Sequence, residues 1–193
     1  LKEVVGSQDQ VLASYGGFNL VNFHKDGQIS LKPITISAKR LNELEDHLML
    51  FYTGIVRTAS DIAKTFVPNI AEKEKQLFAM DKMTSQALDI LNSKEDINEF
   101  GKLLHESWSL KRSLSSSVSN STIDDIYLKA RSKGAIGGKI IGAGGGGFLL
   151  LFVPKSKQAA VKKEFSNLIH VPFKFEHKGS QIIFYDPADD YSY

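Results

Sequence analysis

The sequence predicts an α+β fold in which an antiparallel sheet packs against helices. Apolar and polar residues alternate from Phe18 to Ile36, apolar residues recur at helical spacing from Thr58 to about Lys133, and short apolar runs bounded by Gly and Pro return after Ala135. Strands at both ends with helices between them suit an antiparallel sheet covered by helices on one face. The 193 residues, 42% apolar and 24% charged, can bury one substantial core with room for two lobes.

The elements follow in order. Phe18 to His24 and Gln28 to Ile36 alternate about Lys25-Asp26-Gly27, a hairpin turn sequence. A short charged helix is expected from Ala38 to Asp46, then a buried strand over His47 to Tyr52, ending at Thr53-Gly54. Three or four helices fit the next stretch through Ile62, Ala63 and Phe66, through Leu77 to Leu91, and through Ile97 to Leu110. Breaks are expected at Pro68, at Asn92-Ser93, and in the Ser113 to Thr122 segment, where Ser, Thr and Asn favour caps. Strands are then expected over Ala135 to Ile141, Phe148 to Val153, Val171 to Glu176 and Gln181 to Tyr185. A helix over Ser156 to Leu168 and a turn at Lys178-Gly179-Ser180 complete the pattern, and the tail from Asp186 to Tyr193 is polar.

Composition excludes several function classes. The formal charge is +2 with both signs interspersed, so no basic stripe suggests a nucleic-acid partner, and no strand carries the aromatic pattern of an RNA-binding sheet. There is no cysteine, hence no disulfide, thiolate metal site or cysteine nucleophile. The five histidines show no metal-ligand spacing. No apolar run approaches the roughly 20 residues of a transmembrane helix, and the N-terminus does not read as a signal peptide. A cytoplasmic protein without a membrane partner is expected.

Three stretches could carry chemistry. Gly142-Ala143-Gly144-Gly145-Gly146-Gly147 formally fits the dinucleotide pattern G-x-G-x-x-G, but a strand ended by Pro154 follows it where the fingerprint needs a helix. A glycine loop between two strands can turn backbone N–H groups towards an anion, or it can be a tight turn or bulge; five glycines in six positions favour a phosphate-side loop. Lys133 and Lys139 flank it and read first as solvated lysines. Gly134, Gly137 and Gly138 suggest that the preceding strand packs closely on a neighbour. Second, Asp9 lies between the amides of Gln8 and Gln10, which could hold a general base in one rotamer; with Ser7 it reads equally as a helix start, and on the residues alone the cap leads. Third, Arg57 follows Thr53 and Gly54 at a strand-to-helix junction, where it could fork onto a substrate anion or pair with Asp61 one turn on. Ser113 to Ser117 lacks the glycines of a phosphate loop and reads as a helix end.

Taken together, Gly6-Ser-Gln-Asp-Gln10, Tyr15-Gly-Gly-Phe-Asn19, Phe51-Tyr-Thr-Gly-Ile-Val-Arg-Thr-Ala-Ser60, Lys111-Arg-Ser-Leu114 and Gly137-Gly-Lys-Ile-Ile-Gly-Ala-Gly-Gly-Gly-Gly-Phe148 resemble the GHMP sugar kinases, most closely their heptose 7-phosphate kinase branch. The resemblance is collinear from Gly6 to Pro154. It implies a ferredoxin-like C-terminal lobe over residues 38–193, preceded in 1–37 by the end of the N-terminal lobe with its aspartate segment and hairpin. It also implies phosphoryl transfer from ATP, with Mg²⁺, to a hydroxyl of a sugar or sugar phosphate. Gly142 to Gly147 fall on the family's third, phosphate-side motif, and Asp9 falls on its catalytic aspartate. Arg57, Gly54 and Thr53 fall where the C-terminal lobe approaches the sugar.

The family's main nucleotide loop and first substrate segment have no counterpart here, and its metal ligands are expected outside this chain. The resemblance therefore implies an incomplete enzyme with little activity by itself, whose partners are ATP, a sugar phosphate and an N-terminal lobe. The alternatives are a stand-alone ligand- or partner-binding module built on the same lobe, and an enzyme of galactokinase or fucokinase type.

Overall fold

The computed structural model describes residues 6–57, 59–65 and 67–184, with the side chains of residues 59, 61 and 67–69 left aside. It divides into two units, one of residues 6–35 with 175–184 and the other Ile36–Lys174. The first division lies beside the boundary expected at 37/38. The second, at 174/175, has no counterpart in the sequence reading.

In the smaller unit, helix α1 (Gln8–Tyr15) is followed by Gly16 at φ +63° and a hairpin of β1 (Asn19–Phe23) and β2 (Ile29–Pro33). The strands pair antiparallel from Asn19↔Pro33 to Phe23↔Ile29. The expected turn forms: the Gly27 N–H donates to His24 O at 3.0 Å, and Asp26 Oδ1 accepts from the Gln28 N–H at 3.0 Å. Residues 175–180 close over the end of α1. The Gly17 N–H donates to Glu176 O (3.0 Å), the Ser180 N–H donates to Ser14 O (2.9 Å), and the rings of Phe18 and Phe175 lie with centroids 5.6 Å apart. A Cβ on Gly16 would lie 2.2 Å from the Lys178 carbonyl carbon, and one on Gly179 would lie 2.0 Å from Ser14 O. Gly16 in Tyr15-Gly-Gly-Phe-Asn19 thus admits a crossing backbone.

This crossing corrects the expected C-terminal strands. Lys178-Gly179-Ser180 is no hairpin turn but part of the crossing segment, and no strand forms over residues 181–184; Tyr185 and the tail lie outside the described residues.

The larger unit begins with α2 (Ala38–His47), capped where the Ser37 hydroxyl accepts from the Arg40 N–H at 3.1 Å. The expected strand follows as β3 (Leu48–Tyr52). Next come α3 (Ala59–Ala63), a 3₁₀ helix (Val67–Lys73), α4 (Glu74–Asn92), α5 (Asn98–Arg112) and α6 (Ser121–Ser132). Helices end as expected at Asn92-Ser93 and after Arg112. The α-helical run is interrupted around Pro68 as expected: α3 ends at Ala63, Pro68 sits second in the 3₁₀ helix, where its missing N–H costs little, and α4 begins only at Glu74. The unit ends with β4 (Gly137–Ile140), β5 (Phe148–Phe152), α7 (Lys155–Glu164) and β6 (Ile169–Val171). Helix α7 ends at Glu164, short of Leu168, and the Phe165 ring beyond it lies against that of Phe51 with centroids 5.4 Å apart. The strand expected over Val171 to Glu176 lies earlier, since Pro172 has no N–H for a ladder.

All strand pairs of this sheet are antiparallel, and the order is β4-β5-β3-β6. From β3 onward this is a βαββαβ unit with two split crossovers, the ferredoxin-like arrangement. Met49, Phe51, Ile140, Leu149 and Leu151 form a buried layer with Ile123, Tyr127 and Ala130 of α6 and Val161 of α7. Each Val, Leu, Ile, Met or Phe side chain among them contributes roughly 1.5–3 kcal/mol by leaving water. Helix α5 lies close on β4 through paired glycines: a Cβ on Gly137 would sit 1.9 Å from Gly101 O, and one on Gly101 would sit 2.5 Å from the Phe152 ring. The close packing expected of this strand is present. Among the described residues no helix is long and apolar enough to cross a membrane.

Candidate active site

The glycine loop, residues 142–147, joins β4 to β5, and the hairpin is closed by the Ile141 N–H donating to Phe148 O at 2.9 Å. Gly142, Gly144, Gly145 and Gly147 all have positive φ. Two segments brought from elsewhere in the chain grip the loop. From the turn after β3, the N–H and hydroxyl of Thr53 both donate to Gly147 O (2.9 and 2.8 Å), and the Gly147 N–H donates back to Ile55 O at 2.8 Å. From the segment between α5 and α6, Val118 O accepts from the Gly145 N–H at 2.8 Å. The Asn120 side chain caps α6 by accepting from the Ile123 N–H and donates its other end to Gly145 O at 3.3 Å.

These contacts refine the anion-nest reading. Two of the loop's N–H groups are turned onto carbonyls of the protein, so at Gly145 and Gly147 they do not point at a ligand. The central glycines answer packing: a Cβ on Gly144 would lie 2.6 Å from Val118 O, on Gly145 2.7 Å from Ile62 Cδ1, and on Gly146 2.6 Å from Ile55 O. Gly142 and Gly147 have open space beside them, and Gly142 is exposed. The loop is a braced shelf whose outer end at Gly142 is exposed.

Thr53 is buried, 7% exposed, and its hydroxyl serves Gly147 O and the Ile55 N–H, so it braces the loop. Gly54, at φ +76°, and Arg57 are exposed beyond it. The Asp61 side chain, offered as a partner for Arg57, lies outside the described residues. Lys133 forms a surface pair with Glu164 at 3.3 Å, in keeping with a solvated lysine. Ser113 ends α5, as expected of the serine-rich segment. Lys139 is not a free solvated lysine: it is half-buried on β4, and burial lowers its pKa.

Lys111 is a residue to which the sequence reading gave no role. From the last turn of α5 its ammonium donates to Gly142 O, and burial, with a lesser push from Lys139, brings its pKa down to about 8. The signal was present: Lys111 continues the helical spacing of Gly101, Leu104 and Trp108, of which Gly101 and Trp108 are buried.

In the smaller unit Asp9 sits exposed in the first turn of α1. Ser7 makes no side-chain capping bond, so the hydroxyl half of the cap reading is absent. The Gln10 amide does not brace Asp9 either; with its nitrogen towards the main chain it donates to Gly6 O (3.2 Å) and Ser7 O (3.3 Å). Among the described residues no cluster of three His, Asp or Glu could hold a metal ion.

Residues 86–170, which hold the β4–β5 hairpin and the glycine loop, match the family of GHMP kinases C terminal. Over those residues the chain is similar to GHMP kinase C-terminal domains. A D-glycero-α-D-manno-heptose 7-phosphate kinase of Campylobacter jejuni is 34% identical over 167 residues, 83% of this chain and 49% of that protein. A D-glycero-D-manno-heptose 1-phosphate kinase from Bacteroides thetaiotaomicron superposes with a TM-score of 0.63 at 23% identity, over 90% of this chain and 47% of that one. The L. major mevalonate kinase, solved with R-mevalonate, gives 0.66 at 21% identity, over 90% and 53%. At these identities the two structures share the fold alone. The chain thus spans about half the length of these relatives. The same fold occurs in proteins named for different acceptors, so it does not by itself select one.

Proposed function

We propose that this chain is the C-terminal part of an ATP-dependent kinase that phosphorylates a hydroxyl of a sugar phosphate of the heptose 7-phosphate class. The observation that carries this reading is the likeness to the Campylobacter heptose 7-phosphate kinase over 83% of the chain, which includes the braced glycine loop. Phosphoryl transfer rests mostly on positioning and electrostatic stabilisation. A loop fixed on both sides by backbone bonds suits positioning, since its outer end at Gly142 and Ala143 lines the nucleotide phosphates while its buried middle holds that edge still. Asp9 orients the acceptor hydroxyl and takes its proton, a role that suits an exposed carboxylate in a helix's first turn. Arg57, with Gly54, reaches a phosphate of the acceptor, and Thr53 keeps their turn joined to the loop.

The reading includes the family's N-terminal lobe as a partner, and ATP reacts as its magnesium complex. The described residues supply no metal cluster, so none of them is given the part of a magnesium ligand.

The test is ADP release by the protein combined with that lobe, with heptose 7-phosphate, L-fucose, D-galactose and mevalonate offered in turn. Turnover with the heptose phosphate well above the other three is the expected result. Preference for fucose or galactose would move the assignment to a different sugar kinase. Nucleotide binding without turnover of any acceptor would favour a binding module.

A further inference from the structure

We propose that Lys111 and Lys139 form a cationic pair that receives a phosphate group at the outer end of the glycine loop. This rests on the kinase reading only for the identity of the phosphate. Lys111 comes from the last turn of α5 and Lys139 from β4, the strand that α5 covers through Gly101 and Gly137. The Lys111 ammonium is fixed on Gly142 O, at an end of the loop that has open space beside it. Both side chains are half-buried, and they are close enough for the charge of Lys139 to be felt at Lys111.

Two like charges in a partly dry place call for a counter-charge. Among the described residues, neither lysine has a carboxylate within ion-pair distance, whereas the nearby Arg112 is paired with Asp124 at 2.8 Å and Lys133 with Glu164. The loop beside them, residues 142–147, carries no charged side chain. Carbonyl capping explains one hydrogen bond of Lys111 but leaves the pair's charge unbalanced. A phosphate dianion or a polyphosphate supplies that balance and accepts the remaining ammonium protons. Two sources offer the same chemistry, the phosphates of the nucleotide and the phosphate ester of the sugar.

Calorimetry with ADP, inorganic pyrophosphate and heptose 7-phosphate separates them. Lys111→Met and Lys139→Met are each expected to weaken binding of pyrophosphate and of one of the other two probes by about 10- to 100-fold, with Lys111→Arg retaining most of the affinity. The probe that moves names the source. Variants that keep the wild-type circular dichroism and bind all three probes as tightly as wild type would overturn the pair. A second readout covers the case of unfolded variants: in the wild-type chain labelled with ¹³C-lysine, the pKa of Lys111 should rise from about 8 when pyrophosphate is added, and an unchanged value would overturn the proposal. If pyrophosphate raises it while no acceptor is phosphorylated, the kinase reading falls and the anion site stands. If turnover is normal and the lysine does not respond, only the pair falls.

Discussion

Residues 142–147 are gripped by Thr53 and Ile55 on one side and by Val118 and Asn120 on the other, whereas α1, which carries Asp9, buries none of its residues and has no side-chain cap. Both stretches stand out in the sequence, yet they are held in opposite ways. Where packing dictates a motif, a substitution tests the fold. Where a carboxylate stands exposed on a lightly supported helix, a substitution tests chemistry. The contrast separates which changes should cost stability and which should cost activity.

The largest effect is expected at Asp9. Asp9→Asn should lower turnover by about 100- to 10,000-fold while leaving the melting temperature unchanged, as compared by a coupled ADP assay and a thermal melt. A parallel loss of stability would place Asp9 with the loop and remove the contrast. Gly144→Ala comes next: its Cβ would meet Val118 O at 2.6 Å with φ at +114°, and urea unfolding should show a loss of about 2–4 kcal/mol.

The pH dependence of stability sharpens the view of the loop's edge. Lys111 titrates at about 8 when folded, below its ordinary 10.5, so between those values the unfolded chain binds more protons and stability rises with pH. The slope stays below about 1.4 kcal/mol per pH unit. Lys139 on β4, also lowered by burial, adds in the same direction. Tyr127, pushed up to about 12 by burial, pulls the other way in more alkaline solution. Urea unfolding of wild type and Lys111→Met at several pH values isolates the lysine, and the rise should be smaller in the variant. The smallest effect is expected at Gly142, which has open space but a φ of +77°: Gly142→Ala should cost about 1 kcal/mol. Equal losses at Gly142 and Gly144 would show that backbone conformation alone, and not packing, selects the glycines.

Much of the sheet was legible from local pattern. Alternation and apolar runs locate β1 to β5 within a few residues, and Asn92-Ser93 and the Ser113 to Thr122 segment mark helix ends through side chains that compete for backbone groups. Contacts between distant segments were not legible. Nothing near Gly145 says that its N–H meets Val118 O, and nothing near Gly16 says that the backbone at Lys178 crosses it; a glycine announces close approach without naming what approaches. For that reason residues 175–180 read as a strand end and a turn. Lys111 lies between these cases, since its place on the Gly101, Leu104, Trp108 stripe marks it as half-buried but does not show the carbonyl it reaches.

The central claim is tested most directly by ³¹P NMR of the protein, joined with the family's N-terminal lobe, turning over ATP and heptose 7-phosphate. As ADP appears, the kinase reading expects one new phosphate ester on the sugar phosphate in equal amount, and in Asp9→Asn no measurable ester over the same time. ATP consumed to inorganic phosphate with no new ester, or an ester formed by Asp9→Asn at the wild-type rate, would contradict it.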